Sequence, residues 1–407
     1  PCRSRSNMLL GCSLAPIARS MKQSDKLQHV PQFAASLTPL TKLDGLEEKW
    51  RFLERHSNCS FFQSWLWVGT WLANLPPSAR CYLLEVTDNN DRLAGLAVIG
   101  ACTLVRNGFV RARALLLHET GMHAIDRMTI EHNSILAETG LENDVVLAGL
   151  RCLEAAKWNW DEFVVSGVSE PSLGAWQAAI PAAKWHMVLR QQSDCPFVDL
   201  EVVRAHGGDY LSLLSANARQ QVRRSIRAYE GLGCLCLSVA STGEDALDYL
   251  HELQLLHNAH WTGLGQEGAF PNDFTRRFHD QLALRGGACG AVQLLRVSAG
   301  TEVVGYLYNF VHGGHVYCYQ SGLKYLQDAK FRPGLVCHYL AVQHNLQAGN
   351  RIYDFLAGPQ RYKQSLATAQ TRMVWFSLQR NRAIFFVERL FTRAKDVLRR
   401  RLRPPSQ

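Results

Sequence analysis

The chain has 407 residues, 47% of them hydrophobic and 19% charged, with a net charge of +9. That length favours more than one compact unit, and that composition excludes a largely disordered or fibrous protein. No apolar run reaches the ~20 residues of a bilayer-spanning helix. The positive charge gathers around Arg219–Arg227 and in Arg382–Arg403.

The chain begins at Pro1, with Met8 and Met21 as candidate starts. The apolar stretch before Cys12 is shorter than the ~7–15 residues of an export signal, so residues 1–40 are expected to be a disordered tail. Ser60–Trp71 is an aromatic segment entering a helix that stops before Pro76-Pro77. Cys81–Thr87 and Leu93–Gly100 flank the polar turn Asp88–Asp91 and predict a β-hairpin. Ala112–His118 reads as a strand, Leu141–Lys157 as a helix and Asp161–Ser166 as another strand.

The second half repeats this order. Gly290–Val297 and Val303–Phe310 predict a hairpin, and His315–Ser321 continues it. A helix over 333–348 carries Leu335, Tyr339, Val342 and Leu346 at helical spacing, with Pro in its first turn and Gly349 just past its end. Arg351–Leu356 is the next strand. The expectation is a tandem α+β protein with a boundary near Ser193–Pro196. Twelve cysteines lack zinc-site spacing, and Cys234 and Cys236 sit among apolar residues, so buried thiols of a reducing cytoplasm are expected.

Residues 315–363 carry the most chemistry. A strand leads through a loop to Arg332-Pro333-Gly334, then a helix, a second strand and Tyr362-Lys363. A helix starting beside a strand end offers free N–H groups to an anion, and Arg332 with the small Gly334 lets a phosphate approach. This layout suits an enzyme handling a phosphorylated carrier. Asp354 alternates with Ile352 and Leu356, so its carboxylate needs a partner or a raised pKa. A general base, a substrate anchor and a structural pair with an Arg such as Arg332 all satisfy that pattern.

Arg219, Arg223 and Arg227 recur every four residues, a face for phosphates or simply for solvent. His257 and His260 share a helix face without a third or fourth ligand, so no metal is expected there. His260 and Trp261 are candidates for lining an acceptor pocket, with core packing of Trp261 the plain alternative. His312 and His315 flank Gly313-Gly314 in a predicted hairpin turn, and His338 is a candidate to face a cleft. Val387, Phe391, Ala394, Leu398 and Leu402 form one stripe of a basic C-terminal helix. Such a helix suits an anionic membrane surface, or docking on its own domain.

In order, Asn217-Ala-Arg219, Arg223, Arg227, His257, His260-Trp261, Phe270, Arg277-Phe278, Val304-Gly305-Tyr306, Arg332-Pro333-Gly334, Tyr353–Leu356, Gly358 and Tyr362-Lys363 resemble the GNAT superfamily of acyl-CoA N-acyltransferases. More closely the pattern is similar to the CelD/BcsL-type (BioF-like) acetyltransferase domain, a relative of the Fem-type aminoacyl ligases. The resemblance implies tandem GNAT-like domains with mixed, mostly antiparallel sheets: a degenerate copy over 41–194, an acyltransferase domain over 195–380 and a basic helix over 381–407. It implies acetyl-CoA as cosubstrate and an amine acceptor, a small molecule or a glycan precursor. The implied setting is the cytoplasm, peripheral to the inner membrane, with no nucleic acid unless Fem-like tRNA use applies.

By the same resemblance, main chain at Tyr319 and Gln320 would meet the oxyanion, and Arg332, Pro333 and Gly334 would hold the coenzyme. Asp354, Tyr362 and Lys363 would be catalytic, and Arg219, Arg223, Arg227, His260 and Trp261 would contact the acceptor. The family's pyrophosphate loop, Arg/Gln-x-x-Gly-x-Gly/Ala, here reads Lys330-Phe-Arg332-Pro-Gly334-Leu335. That departure keeps two alternatives in view: Fem-like aminoacyl or peptide transfer, and a non-catalytic subunit of a polysaccharide synthesis complex.

Overall fold

A computed structural model describes residues 33–391, apart from 107, 109, 129, 157–158 and 181–184. The first half runs β1 (Phe33–Pro39), α1 (Leu46–Arg55), α2 (Trp65–Asn74), β2 (Cys81–Asp88), β3 (Leu93–Arg106), β4 (Val110–Leu117), α3 (His123–Asp126), β5 (Leu136–Ala137), α4 (Glu142–Ala155), β6 (Glu162–Ser169), α5 (Glu170–Ala179) and β7 (His186–Asp199). The second runs α6 (Leu200–Ala205), α7 (Ala216–Glu230), β8 (Leu235–Val239), α8 (Gly243–Gly263), α9 (Asp273–Gly287), β9 (Val292–Ala299), β10 (Glu302–His312), β11 (His315–Leu323), α10 (Pro333–Gln347), β12 (Ile352–Asp354), α11 (Arg361–Leu366) and β13 (Ala369–Gln379).

The expected repetition is present, strand for strand. In the first half β1, β2, β3 and β4 pair antiparallel in sequence, and β4 then pairs parallel with β6. In the second half β8, β9, β10 and β11 do the same, and β11 pairs parallel with β12. Turn chemistry fixes the hairpins. Asp88 accepts hydrogen bonds from the N–H groups of Asn90 and Arg92, and Asp91 takes φ of 58°. Gly313 and Gly314, both at positive φ, make the two-residue turn that pairs His312 with His315.

The halves are joined by exchange of their last strands. β13, from the second half, pairs antiparallel with β6 of the first. β7, from the first half, pairs with β12 of the second, and β13 and β7 run side by side. One sheet results, in the order β1-β2-β3-β4-β6-β13-β7-β12-β11-β10-β9-β8. The boundary expected at Ser193–Pro196 thus lies inside β7, a strand paired on both sides. Aromatics seal the junction: Phe61 stacks on Phe310 with centroids 4.2 Å apart, and Phe62 and Trp67 meet the same ring edge-on. Burying each such ring contributes about 1.5–3 kcal/mol.

Two expectations are corrected. Residues 33–39, assigned to the tail, are strand β1, and residues 1–32 lie outside the described set. Cys234 and Cys236 are exposed, not buried, because β8 is an edge strand whose alternate side chains face solvent. Of the basic segment expected over 381–407, residues 383–391 are helical, and the remainder lies outside the described residues. Among the described residues no helix is long and apolar enough to cross a membrane.

Candidate active site

β11 and β12 stay paired for only three residues, His315–Tyr317 against Ile352–Asp354. Beyond that point β11 continues to Leu323 while its neighbour β12 ends at Asp354, and the sheet opens. The register of β11 against β10 slips at the same place, leaving Tyr319 as the extra residue of a β-bulge. A cleft of about 1130 Å³ occupies the opening. That exceeds a single small-molecule pocket and leaves room for two substrates side by side.

One wall is the start of α10. Arg332 is its N-cap and Pro333, which has no N–H to satisfy, is its first residue. No acidic residue stands in the first turn. A Cβ added to Gly334 would meet only Leu323 Cδ1, at 3.4 Å, so the approach to the helix end is open. Helix-end N–H groups, an open approach and absent negative charge together fit a phosphate. Arg332 is less free than expected: its guanidinium donates to Gln221 Oε1 at 2.6 Å, and its backbone N–H to Ser225 Oγ at 2.9 Å.

Lys363 closes the other side. α11 brings it back over the cleft, where it is 8% exposed and donates to Leu356 O at 3.2 Å and Ala357 O at 2.9 Å. Burial pushes its ammonium down from the ordinary lysine value, and neighbouring acids, Glu131 foremost, oppose that shift. Tyr362 also lines the cleft, its ring stacked on His338 with centroids 5.2 Å apart. Burial holds the His338 imidazole near 3, with the Lys363 charge adding to the shift, so it is neutral at physiological pH.

Asp354 does not line the cleft with its neighbours. Its Oδ1 accepts the Leu356 N–H at 2.7 Å, and its Oδ2 faces His132 and His315, not Arg332. Burial alone would raise this carboxyl, but the two imidazoles hold it well below the usual carboxylate range, which ill suits a general base. What Asp354 does locally is brace Leu356, which has φ of 61°. A non-glycine residue there costs of order 1–3 kcal/mol. Asp354 grips its N–H and Lys363 its carbonyl, so the strained residue is held from both sides.

The remaining expected residues divide cleanly. Tyr319, Gln320, Arg332, Pro333, Gly334, His260 and Trp261 all line the cleft. Arg219, Arg223 and Arg227 do not: they line a separate groove of about 570 Å³ with Leu211 and Tyr339, while Asn217 and Gln221 of the same helix border the cleft. His257 is a structural residue. It accepts the Ala269 N–H at Nε2 (3.0 Å) and donates from Nδ1 to Ser321 O (3.0 Å), bridging α8 to β11.

Several cleft residues, Tyr325, Gln360 and Glu131 among them, lie beyond sequence reasoning, and Glu131 is the charged one from the other half. Glu131, from the first-half loop before β5, is buried in the wall and accepts the Ala357 N–H at 2.8 Å. Burial raises its carboxyl, with the Lys363 charge among the opposing effects. A lone Glu in a loop carries no periodic signal, and only the joining of the two halves places it here.

Residues 216–364 match the acetyltransferase (GNAT) domain family. That segment, somewhat over a third of the chain, is a GNAT domain. The matched segment contains α10, β11, β12 and Lys363, that is, most of the cleft just described but not Glu131. No curated protein sequence matches the chain. Among solved structures it is similar to the C-terminal domain of a putative lysylphosphatidylglycerol synthetase from Agrobacterium fabrum, at 10% identity, covering 84% of this chain and 93% of that one, with a TM-score of 0.52. The L-PGS structure from Bacillus licheniformis aligns at 11% identity over 85% and 96% of the two chains, TM-score 0.51. FemX aligns at 10% identity over 80% and 95%, TM-score 0.50. At such identity these likenesses concern the fold alone, which is shared over nearly the whole length of each neighbour.

Proposed function

We propose that this chain is an N-acyltransferase that moves an acyl group, acetyl in the simplest case, from coenzyme A to a primary amine on a glycan-type acceptor. The observation that carries this reading is the meeting of an unobstructed, acid-free helix start and a buried lysine in one cleft. The pyrophosphate would rest on the N–H groups at Gly334 and its neighbours. The amine nitrogen attacks the thioester carbonyl, the C–S bond breaks, and the proton the amine loses ends on the departing sulfur. Negative charge grows on the carbonyl oxygen. Lys363 uses two of its three N–H donors on Leu356 and Ala357, which leaves one for that oxygen, beside the main chain of Tyr319–Gln320. Glu131 is the carboxylate placed to hold the amine. Trp261, Tyr325 and Tyr362 supply flat apolar faces of the kind that stack on sugar rings.

Titration calorimetry with acetyl-CoA, followed by mass detection of acylated amines, tests the reading. Binding at micromolar to sub-millimolar concentration is expected, and none at millimolar ligand removes the coenzyme. A second reading, Fem-like transfer from aminoacyl-tRNA, is favoured by two observations. The pyrophosphate loop is incomplete and its Arg332 is engaged by Gln221, while the basic groove on the far side of α7 suits a longer polyanion. Charged tRNA held more tightly than the thioester would select it.

A further inference from the structure

Behind the cleft wall, three side chains from both halves converge on one point. His132 Nε2, His315 Nε2 and Asp354 Oδ2 all lie within 4.8 Å of one another. Each imidazole nitrogen is 3.0 and 3.2 Å, respectively, from the same carboxylate oxygen. Four ligands arranged tetrahedrally at 2.0–2.1 Å from a zinc ion stand about 3.3 Å apart, close to both separations. Hydrogen bonding accounts for the cluster only in part. His132 Nε2 is buried and, despite its 3.0 Å approach, is not aligned for a hydrogen bond to any acceptor. Two imidazole nitrogens beside one carboxylate oxygen, all within 4.8 Å of one another, form a donor set that a cation can use.

The surroundings hold that geometry in place. His132 has φ of 48°, in the left-handed region that non-glycine residues uncommonly adopt, and its loop is pinned by Ser60 Oγ donating to His132 O at 2.9 Å. The His315 ring lies flat on Tyr317, centroids 4.1 Å apart and planes within 6°. Asp354 is oriented by the Leu356 N–H on its other oxygen. The His315 side chain is 23% exposed, so an ion and a water ligand have a route from solvent.

We infer that His132, His315 and Asp354 form a site for a divalent transition-metal ion, with Zn²⁺ the best match to an N,N,O donor set, clasping the first-half loop to the second-half sheet. Neutral imidazole and carboxylate suit Zn²⁺, whereas hard cations such as Mg²⁺ and Ca²⁺ select all-oxygen sites. The inference is independent of the proposed acyl transfer, since no ligand atom faces the cleft. Its consequence would be mechanical. His132 follows Glu131 directly, so the ion would anchor the loop that sends Glu131 into the cleft.

The test uses the full chain with Cys234→Ser and Cys236→Ser, which removes an exposed thiol pair with sulfurs 3.8 Å apart that would bind zinc by itself. After chelator treatment and dialysis, ZnCl₂ is titrated calorimetrically and thermal unfolding is followed with and without the ion. One equivalent bound at micromolar Kd or tighter is expected, with a higher Tm. His315→Ala and His132→Gln should each weaken binding at least a hundredfold and abolish the zinc-dependent rise in Tm. Co²⁺ substitution should give visible d–d bands that both variants lose. A parent protein that binds no zinc below millimolar concentration overturns the inference, whatever the variants do. So does binding that survives both substitutions.

Discussion

The two halves repeat one topology, yet their equivalent helices begin in opposite electrostatic conditions. α10 starts Arg332-Pro333-Gly334 with no acid in its first turn, whereas α4 starts after Leu141 with Glu142 and Asp144 in its first turn. The helix dipole makes any N-terminus positive, and two carboxylates there satisfy it and repel a phosphate. The loops before these helices differ too. In the second half nine residues separate β11 from α10, and they form the cleft wall. In the first half a much longer connection, from β4 to α4, runs away from its own helix and delivers Glu131 and His132 to the other half. One copy keeps a helix start free of acids at the cleft, and the other has become part of the cleft wall.

The sharpest way to break this comparison is Lys363→Ala. Removing the buried donor should lower kcat by about 10²–10³, the loss typical of one oxyanion donor, with little change in donor affinity. The unaltered enzyme should also lose activity at alkaline pH sooner than an ordinary lysine predicts. In the proposed mechanism the ammonium is the working form; burial lowers its pKa, so the active fraction should fall as pH rises through that lowered value. A kcat profile flat beyond the ordinary lysine range of about 10.4 would refute this role.

Next in size is Gly334→Asp, which gives α10 the acid that α4 already has. The KM for acetyl-CoA should rise about tenfold or more, while Glu142→Asp in α4 changes nothing measurable. Glu131→Gln should then raise KM for the amine by about tenfold and leave that for the donor unaltered, reporting that the first half shapes the acceptor side. The smallest effect belongs to Arg223→Ala with Arg227→Ala. With a coenzyme A donor, steady-state kinetics should change by less than about twofold, because these side chains line the other groove. A large loss with charged tRNA as donor would instead support the second reading.

Much of this was legible in the sequence because it is local. The hairpins, the parallel strand pair and the Pro-Gly start of α10 follow from alternation, turn residues and helix-end chemistry within short windows. Tyr319, Arg332–Gly334, Trp261 and Tyr362-Lys363 reach the cleft because each is tied to such an element. Alternation leaves Asp354 with a raised pKa, as a base needs, or with a partner such as Arg332; the structure lowers its pKa and partners it with His132 and His315, one of them some 220 residues upstream. The arginines of α7 were misplaced for a simpler reason. Helical spacing shows that they share a face, not which neighbour that face meets. Glu131 and His132 were invisible, since strand exchange alone brings their loop across.

That exchange has a consequence for biosynthesis. β6 and β7 appear early on the ribosome, yet the strand that fills the gap between them, β13, is made about 170 residues later. Until then the nascent chain carries open β-edges that invite pairing with other molecules. Closure demands contacts of very large sequence separation, which are slow to form. Protection during translation, rather than stability once complete, is therefore where this chain is most exposed to failure.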